Sequence, residues 1–178
     1  MSDQHEHGQE HGSGDIACAM AHGEVPAPTD GRRLVAVFAS PVAMQLVHLA
    51  AHVGFDCLVL DPEHDLEGAP TVRTAAEAGL DDATDVVVTD HDRPELGDVL
   101  AEVLGHTTRW VGVMGSPRHT APHVAALDER GVPAEVVARV HRPIGLDIGS
   151  KSPAEIAVST VAGQLADRNG RAGGAFSA

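Results

Sequence analysis

Leu34-Val-Ala-Val-Phe38, then Ala39-Ser-Pro41, then a helical pattern through Val42, Leu46, Leu49, Ala50 and Val53, and finally Cys57-Leu-Val-Leu60 running into Asp61-Pro62, is the stretch that decides the fold. The opening run is apolar and of strand length, and the Ser-Pro pair after it suits a helix start. The apolar residues that follow recur three and four apart, which puts them on one helix face, and Gly54 ends the helix. The second apolar run is again of strand length. Strand, tight turn, helix, strand and a terminal acid about twenty residues on is the opening of a Rossmann-type unit.

Working outward, the same alternation continues. Thr71-Val-Arg-Thr74 is a weak strand candidate with a short helix after it, and Asp85-Val-Val-Val-Thr89 reads as a buried strand. Pro94 opens a helix to about Leu104, and Arg109-Trp-Val-Gly-Val-Met114 is the next strand. Ser116 caps and Pro117 starts a helix expected to run to Arg130, with Gly131 ending it. A short helix near Pro133–Val137 leads into a glycine-bearing loop. Ser152, Pro153 and Glu155 then form a capping box for a last helix whose Ile156, Ala157, Thr160, Val161 and Leu165 share one face. The expected architecture is α/β, a three-layer Rossmann-like open parallel sheet with helices on both faces. It occupies residues 33–168, between a flexible His-rich tail (1–32) and a flexible C-terminal tail (169–178).

The 178 residues suffice for one domain with a proper core. Hydrophobic residues make up 43% and aromatics only 2%, so the core is built from small aliphatics that pack closely between sheet and helices. The formal charge of -14 repels phosphate backbones and argues against general nucleic-acid binding. No apolar run approaches membrane-spanning length, and the N-terminus lacks the basic and apolar regions of a signal peptide. The expectation is a cytoplasmic protein with two free thiols, Cys18 and Cys57. The tail gathers His5, His7, His11, Cys18 and His22, but their spacing fits no closed zinc motif, so no metal site is assigned there.

Three turns at strand carboxyl ends face one rim, the place where open α/β sheets bind ligands. They are Ala39–Pro41, Thr89–Asp92 and Gly115–Arg118. Ser40, Pro41 and Val42 start one helix and Gly115, Ser116 and Arg118 another, so both turns offer amides to an anion. Thr89 ends the buried strand that begins at Asp85, and Asp61 stands at the ribose position. The loop Pro143–Ser152, with Gly145, Asp147 and Gly149, is expected to close over the rim, its Lys151 beside free helix-start amides. The dinucleotide fingerprint itself is missing. With Ala43 at its last position, Phe38 and Ser40 stand where its first two glycines belong, and Phe38 lacks a glycine's freedom.

Three segments together resemble the C-terminal Rossmann-type domain of the xanthine dehydrogenase accessory (XdhC/CoxI) family. They are Val86-Val-Val-Thr-Asp-His-Asp92, Trp110-Val-Gly-Val-Met-Gly-Ser-Pro-Arg118 and Val140-His-Arg-Pro-Ile-Gly-Leu-Asp-Ile-Gly-Ser-Lys-Ser-Pro-Ala-Glu-Ile-Ala157. The resemblance covers residues 33 to 168. It implies a cytoplasmic accessory protein that binds the molybdenum cofactor, as molybdopterin or its cytidine dinucleotide, and helps insert it into a molybdenum hydroxylase of the xanthine dehydrogenase or carbon monoxide dehydrogenase type. The implied partners are a hydroxylase subunit, a sulfurase, or a separate chain carrying the family's additional N-terminal domain. A homodimer is compatible with this reading. On it, Ser40, Pro41, Val42, Asp61, Thr89, Gly115, Ser116, Arg118, Asp147 and Gly149 are the cofactor-binding candidates.

Two alternatives stand beside it. In an NAD(P)-dependent oxidoreductase, Asp61 would hold the ribose and His91 would act as general acid, oriented by Asp92. The plainer reading of His91 is a loop histidine bonded to its neighbouring carboxylates. In the other alternative the domain binds no ligand and serves as an interaction surface.

Overall fold

A computed structural model describes Ala19, His22, residues 31–116 and residues 120–174. The fold lies within the unit Gly31–Ala178, and of the tail residues expected to carry chemistry, His5, His7, His11 and Cys18 lie outside the described residues.

The chain alternates strand and helix throughout. β1 (Arg33–Val37) is followed by α1 (Pro41–His52), β2 (Asp56–Leu60), β3 (Thr71–Val72), α2 (Ala75–Ala78) and β4 (Thr84–Val88). After these come α3 (Leu96–Leu104), β5 (Trp110–Val113), α4 (Pro122–Asp128), α5 (Ala134–Val137), β6 (Val140–His141) and α6 (Pro153–Arg168). The six strands form one sheet in the order β3-β2-β1-β4-β5-β6, every pair parallel. That order makes β1 and β4 the point where the chain's winding reverses, and the crevice above their carboxyl ends is where such sheets take ligands.

Strand periodicity sorts the core into two layers. Val35 and Val37 of β1, with Val86 and Val88 of β4, pack against Leu96, Val99, Leu100 and Val103 of α3 and Leu127 of α4. Leu34, Ala36 and Val87 point the other way, onto Ala43, Leu46, Val47 and Ala50 of α1 and Ala157 and Val161 of α6. The sheet is therefore covered on both faces, which is why β4 reads as continuous Asp-Val-Val-Val instead of alternating. Its lower end is tied by charge. Asp85, fully buried, accepts from Arg109 Nε and, at 3.1 Å, from Arg168 Nε, while Arg109 also reaches Asp167 at 2.8 Å and Gln164 at 3.1 Å. This cluster anchors the last turns of α6 to the starts of β4 and β5.

Three details differ from the sequence reading. The helix expected from Pro117 begins instead at Pro122. A proline disfavours helical backbone in the residue before it, and Ala121 is extended (φ -87°, ψ 92°), so Pro122 breaks any helix begun earlier and starts its own. Val140–His141 add a sixth strand on Val111–Gly112, where a loop was expected to begin. Residues 169–171, assigned to a flexible tail, fold back onto the end of α6, with the Arg171 amide 2.7 Å from the Ala166 carbonyl.

Candidate functional site

The chain leaves β1 through Phe38, the described non-glycine residue with positive φ (72°). It thus takes the backbone geometry a glycine would supply, which corrects the expectation that its side chain prevents it. The ring compensates for an unfavourable conformation. It is fully buried among Val35, Leu60 and Val88, and the Arg93 guanidinium lies over it, 4.9 Å from its centroid.

Two residues later Ser40 caps α1. Its hydroxyl accepts from the Ala43 amide at 3.0 Å and lies 2.9 Å from the hydroxyl of Thr89, at the end of β4. Thr89 Oγ1 is also 3.0 Å from the Val37 carbonyl and 2.9 Å from that of Phe38. Carbonyls only accept and a hydroxyl carries one proton, so Thr89 donates to the backbone and Ser40 donates to Thr89. Both hydroxyls at the winding reversal are therefore spent inside the protein. What α1 still offers is the Val42 amide, because Pro41 has no N–H, Ala43 is capped by Ser40, and Met44 bonds the Ser40 carbonyl.

Asp61 ends β2 in the position of the ribose acid and is fully buried. Its Oδ2 accepts from the Ala39 amide (2.8 Å) and Arg93 Nη1 (3.3 Å), its Oδ1 from the amides of Glu63 (2.9 Å) and His64 (3.0 Å). Those four bonds use a carboxylate's full accepting capacity. Burial alone would raise its pKa, but the three amides and the Arg93 charge together hold it below the ordinary carboxylate value. Asp61 is a staple joining the turns after β1 and β2, and as placed it has nothing left for a ribose.

The far wall comes from α6. Its capping box is complete: Ser152 accepts from the Glu155 amide, and the Glu155 carboxylate accepts from the amides of Ser152 (3.0 Å) and Lys151 (2.8 Å). The helix start expected to seat a foreign anion beside Lys151 thus already holds the protein's own carboxylate, and those amides hold Glu155 below its usual pKa. The Ala154 amide remains. The preceding loop does not roof the rim. Gly145 packs against Ser159 and Gly163, the Leu146 amide bonds the Ser159 carbonyl at 3.1 Å, and Asp147 and Gly149 are exposed.

Between these walls lies a cavity of about 610 Å³ lined by Ala39, Ser40, Pro41, Met44, Gln45, His64, Asp65, Leu66, Ser152, Pro153 and Ala154. Its volume falls in the range of small-molecule sites, but it is an open depression, with Pro41, Met44, His64, Pro153 and Ala154 exposed. Its walls are mostly apolar, and the starts of α1 and α6 both open onto it, each adding the partial positive charge of a helix N-terminus. Ser40 and Pro41 are among the expected cofactor-binding residues and Ser152–Pro153 is the helix start expected near the rim; the other lining residues are not among those expectations. Met44 and Gln45 carry a signal that was available, since they follow Pro41 at the spacing that shares its helix face. His64 and Leu66 sit in the loop Asp61 organises, and only the fold brings Pro153 and Ala154 across.

The other candidates lie elsewhere on the rim. Gly115 and Ser116 end β5 beside Arg142, whose Nη2 bonds the Ser116 carbonyl at 3.3 Å, and a Cβ on Gly115 would stand 2.4 Å from that guanidinium. Arg118 lies outside the described residues. His91 Nε2 is 3.8 Å from Asp92, whose side chain is 88% exposed, so the pair is a loose surface contact and lines no cavity described here.

A parallel sheet in the order 3-2-1-4-5-6, with a pocket at its first helix start, defines a Rossmann-type binding domain. The chain belongs to the XdhC family: the model of the XdhC Rossmann domain matches residues 34–163. It is 32% identical over 154 residues to the uncharacterized protein YqeB of Escherichia coli K12, covering 80% of this chain and 28% of that protein. In structure it resembles a protein of Bacillus halodurans described as a xanthine dehydrogenase (BH1974), with a TM-score of 0.60 and 25% identity over 79% of this chain and 44% of that one. The chain thus spans less than half the length of either relative. Among the described residues no helix is long and apolar enough to cross a membrane.

Proposed function

We propose that this chain is an accessory protein that binds the molybdenum cofactor and delivers it to a molybdenum hydroxylase of the xanthine dehydrogenase or carbon monoxide dehydrogenase type. The cavity between α1 and α6 carries this reading. It accepts a ligand with a flat organic ring and an anionic end: Pro41, Met44, Leu66 and Pro153 offer apolar walls, and the Val42 and Ala154 amides offer donors at two positive helix ends. The cofactor is cargo here, and its oxidation–reduction chemistry belongs to the hydroxylase that receives it. The chain's own residues bind, orient and shield it.

The same geometry speaks against NAD(P). The hydroxyl that would face a pyrophosphate is bonded to Thr89, and the acid that would hold the ribose is enclosed. On this reading the working partners are a hydroxylase subunit and a sulfurase, acting with the chain in the cytoplasm. A thermal-shift panel with molybdenum cofactor, NAD(H), NADP(H) and cytidine nucleotides tests the reading. A ligand at a hundredfold its dissociation constant stabilises by about 2.7 kcal/mol. A shift with the molybdenum cofactor supports the proposal. A shift with a nicotinamide dinucleotide alone overturns it in favour of an oxidoreductase, and silence from all of them favours an interaction module.

A further inference from the structure

His48 and His52 lie one turn apart on the solvent face of α1, both exposed. Their rings are stacked, with centroids 5.0 Å apart and planes at 27°. Residues four apart share a helix face, so the backbone holds the two imidazoles side by side. The His52 ring is also oriented, since its Nδ1 lies 2.8 Å from the His48 carbonyl. A carbonyl can only accept, so Nδ1 carries the proton and Nε2 keeps its lone pair. A ring nitrogen left basic by a hydrogen bond at the other one is the arrangement found in metal-ligating histidines.

We propose that His48 and His52 form a two-imidazole site for a borderline divalent transition-metal ion, with copper(II) bound most tightly. Imidazole suits copper, nickel and zinc, and copper(II) stands highest among them for a site of given ligands. Metal–nitrogen bonds of about 2.0–2.1 Å require the two donor atoms to approach to roughly 3 Å, which side-chain rotation of two exposed rings provides. Two protein ligands leave the remaining coordination positions to water or to a third donor from outside. Met44 precedes His48 by four residues and lines the cavity. The site therefore lies about 6 Å along the helix from the cavity's mouth, at 1.5 Å of rise per residue.

The test is a copper(II) titration of the isotopically labelled full-length chain, read by paramagnetic broadening of backbone amides. His5, His7, His11 and His22 offer copper other ligands, so the readout has to be local to α1. Saturable broadening centred on residues 45–53 is expected. Both His48→Ala and His52→Ala should weaken it by at least about tenfold, the smallest loss seen when even an outer-sphere partner of a metal ligand is removed. Both positions are exposed and alanine is the best helix former, so the fold survives either change. Broadening absent from α1, unchanged in both variants, or lost in only one of them would overturn the two-ligand site.

Discussion

Replacing Asp61 by asparagine separates a staple from a ligand-binding acid. Oδ1 takes two amides, and Oδ2 takes the Ala39 amide and Arg93. Whichever way the asparagine amide turns, one oxygen becomes an NH₂ group facing two donors. Two hydrogen bonds to a charged group are lost, each worth about 1.5–3 kcal/mol, so the expected cost is about 3–6 kcal/mol. For a domain of this size each kcal/mol lowers Tm by about 2–4 °C, giving a fall of roughly 6–24 °C. Urea denaturation with ligand absent is the assay, with Glu63→Gln as the exposed control, expected within about 0.5 kcal/mol of the parent. The pH dependence carries the same signature. Asp61 titrates below its ordinary value when folded, so its stabilisation is full above the unfolded value of about 3.9 and is lost as pH falls through the lower folded one. The asparagine variant lacks that acid limb. A variant as stable as its control would refute the staple and return Asp61 to the list of ligand-binding groups.

Phe38→Ala should be more destabilising than Phe38→Gly, by about 1 kcal/mol, because only glycine takes the positive φ without strain; chemical denaturation of both variants decides it, and the usual opposite order would contradict the backbone geometry. Asp85→Ala removes the buried carboxylate shared by Arg109 and Arg168, which keep their other partners, and should cost about 1.5–3 kcal/mol per lost bond, with hydrogen exchange rising first in the last turns of α6. Cys57 is pushed up to about 12 by burial and then by the Asp56 charge, so it should resist a thiol reagent at pH 8 in the native chain and react only on unfolding. Burial, and then the Arg142 charge, hold His123 below its usual value. Stability should therefore be full above the unfolded histidine value of about 6.5 and decline as pH falls below it, a slope that His123→Phe reduces.

The layered sheet was legible because its signals are local. Apolar runs of strand length, helix starts such as Ser40-Pro41 and Ser152-Pro153, and alternating order suffice to name a parallel α/β fold. Elements that depend on distant partners were not. β6 has two residues and exists only because Val111 and Gly112 lie beside it. The start of α4 at Pro122 was written in the sequence as a second proline, but Ser116-Pro117 offered an equally good local start. At the site, Ser40 and Asp61 were found by position, but the bonds each already makes were not, because sequence shows that a hydroxyl or carboxylate is present and not whether its bonds are taken. Met44, His64 and Ala154 come from three segments that meet only in the folded chain.

Equilibrium binding of released molybdenum cofactor to the full-length chain and to Ala154→Trp asks directly whether the cavity takes the cofactor. Ala154 is an exposed residue of the α6 start that lines the cavity, so an indole there fills the site without entering the core. Saturable binding by the parent chain, and its loss in a variant that melts at the same temperature, is the expected result. Absence of binding by the parent, or equal binding by both, would contradict it.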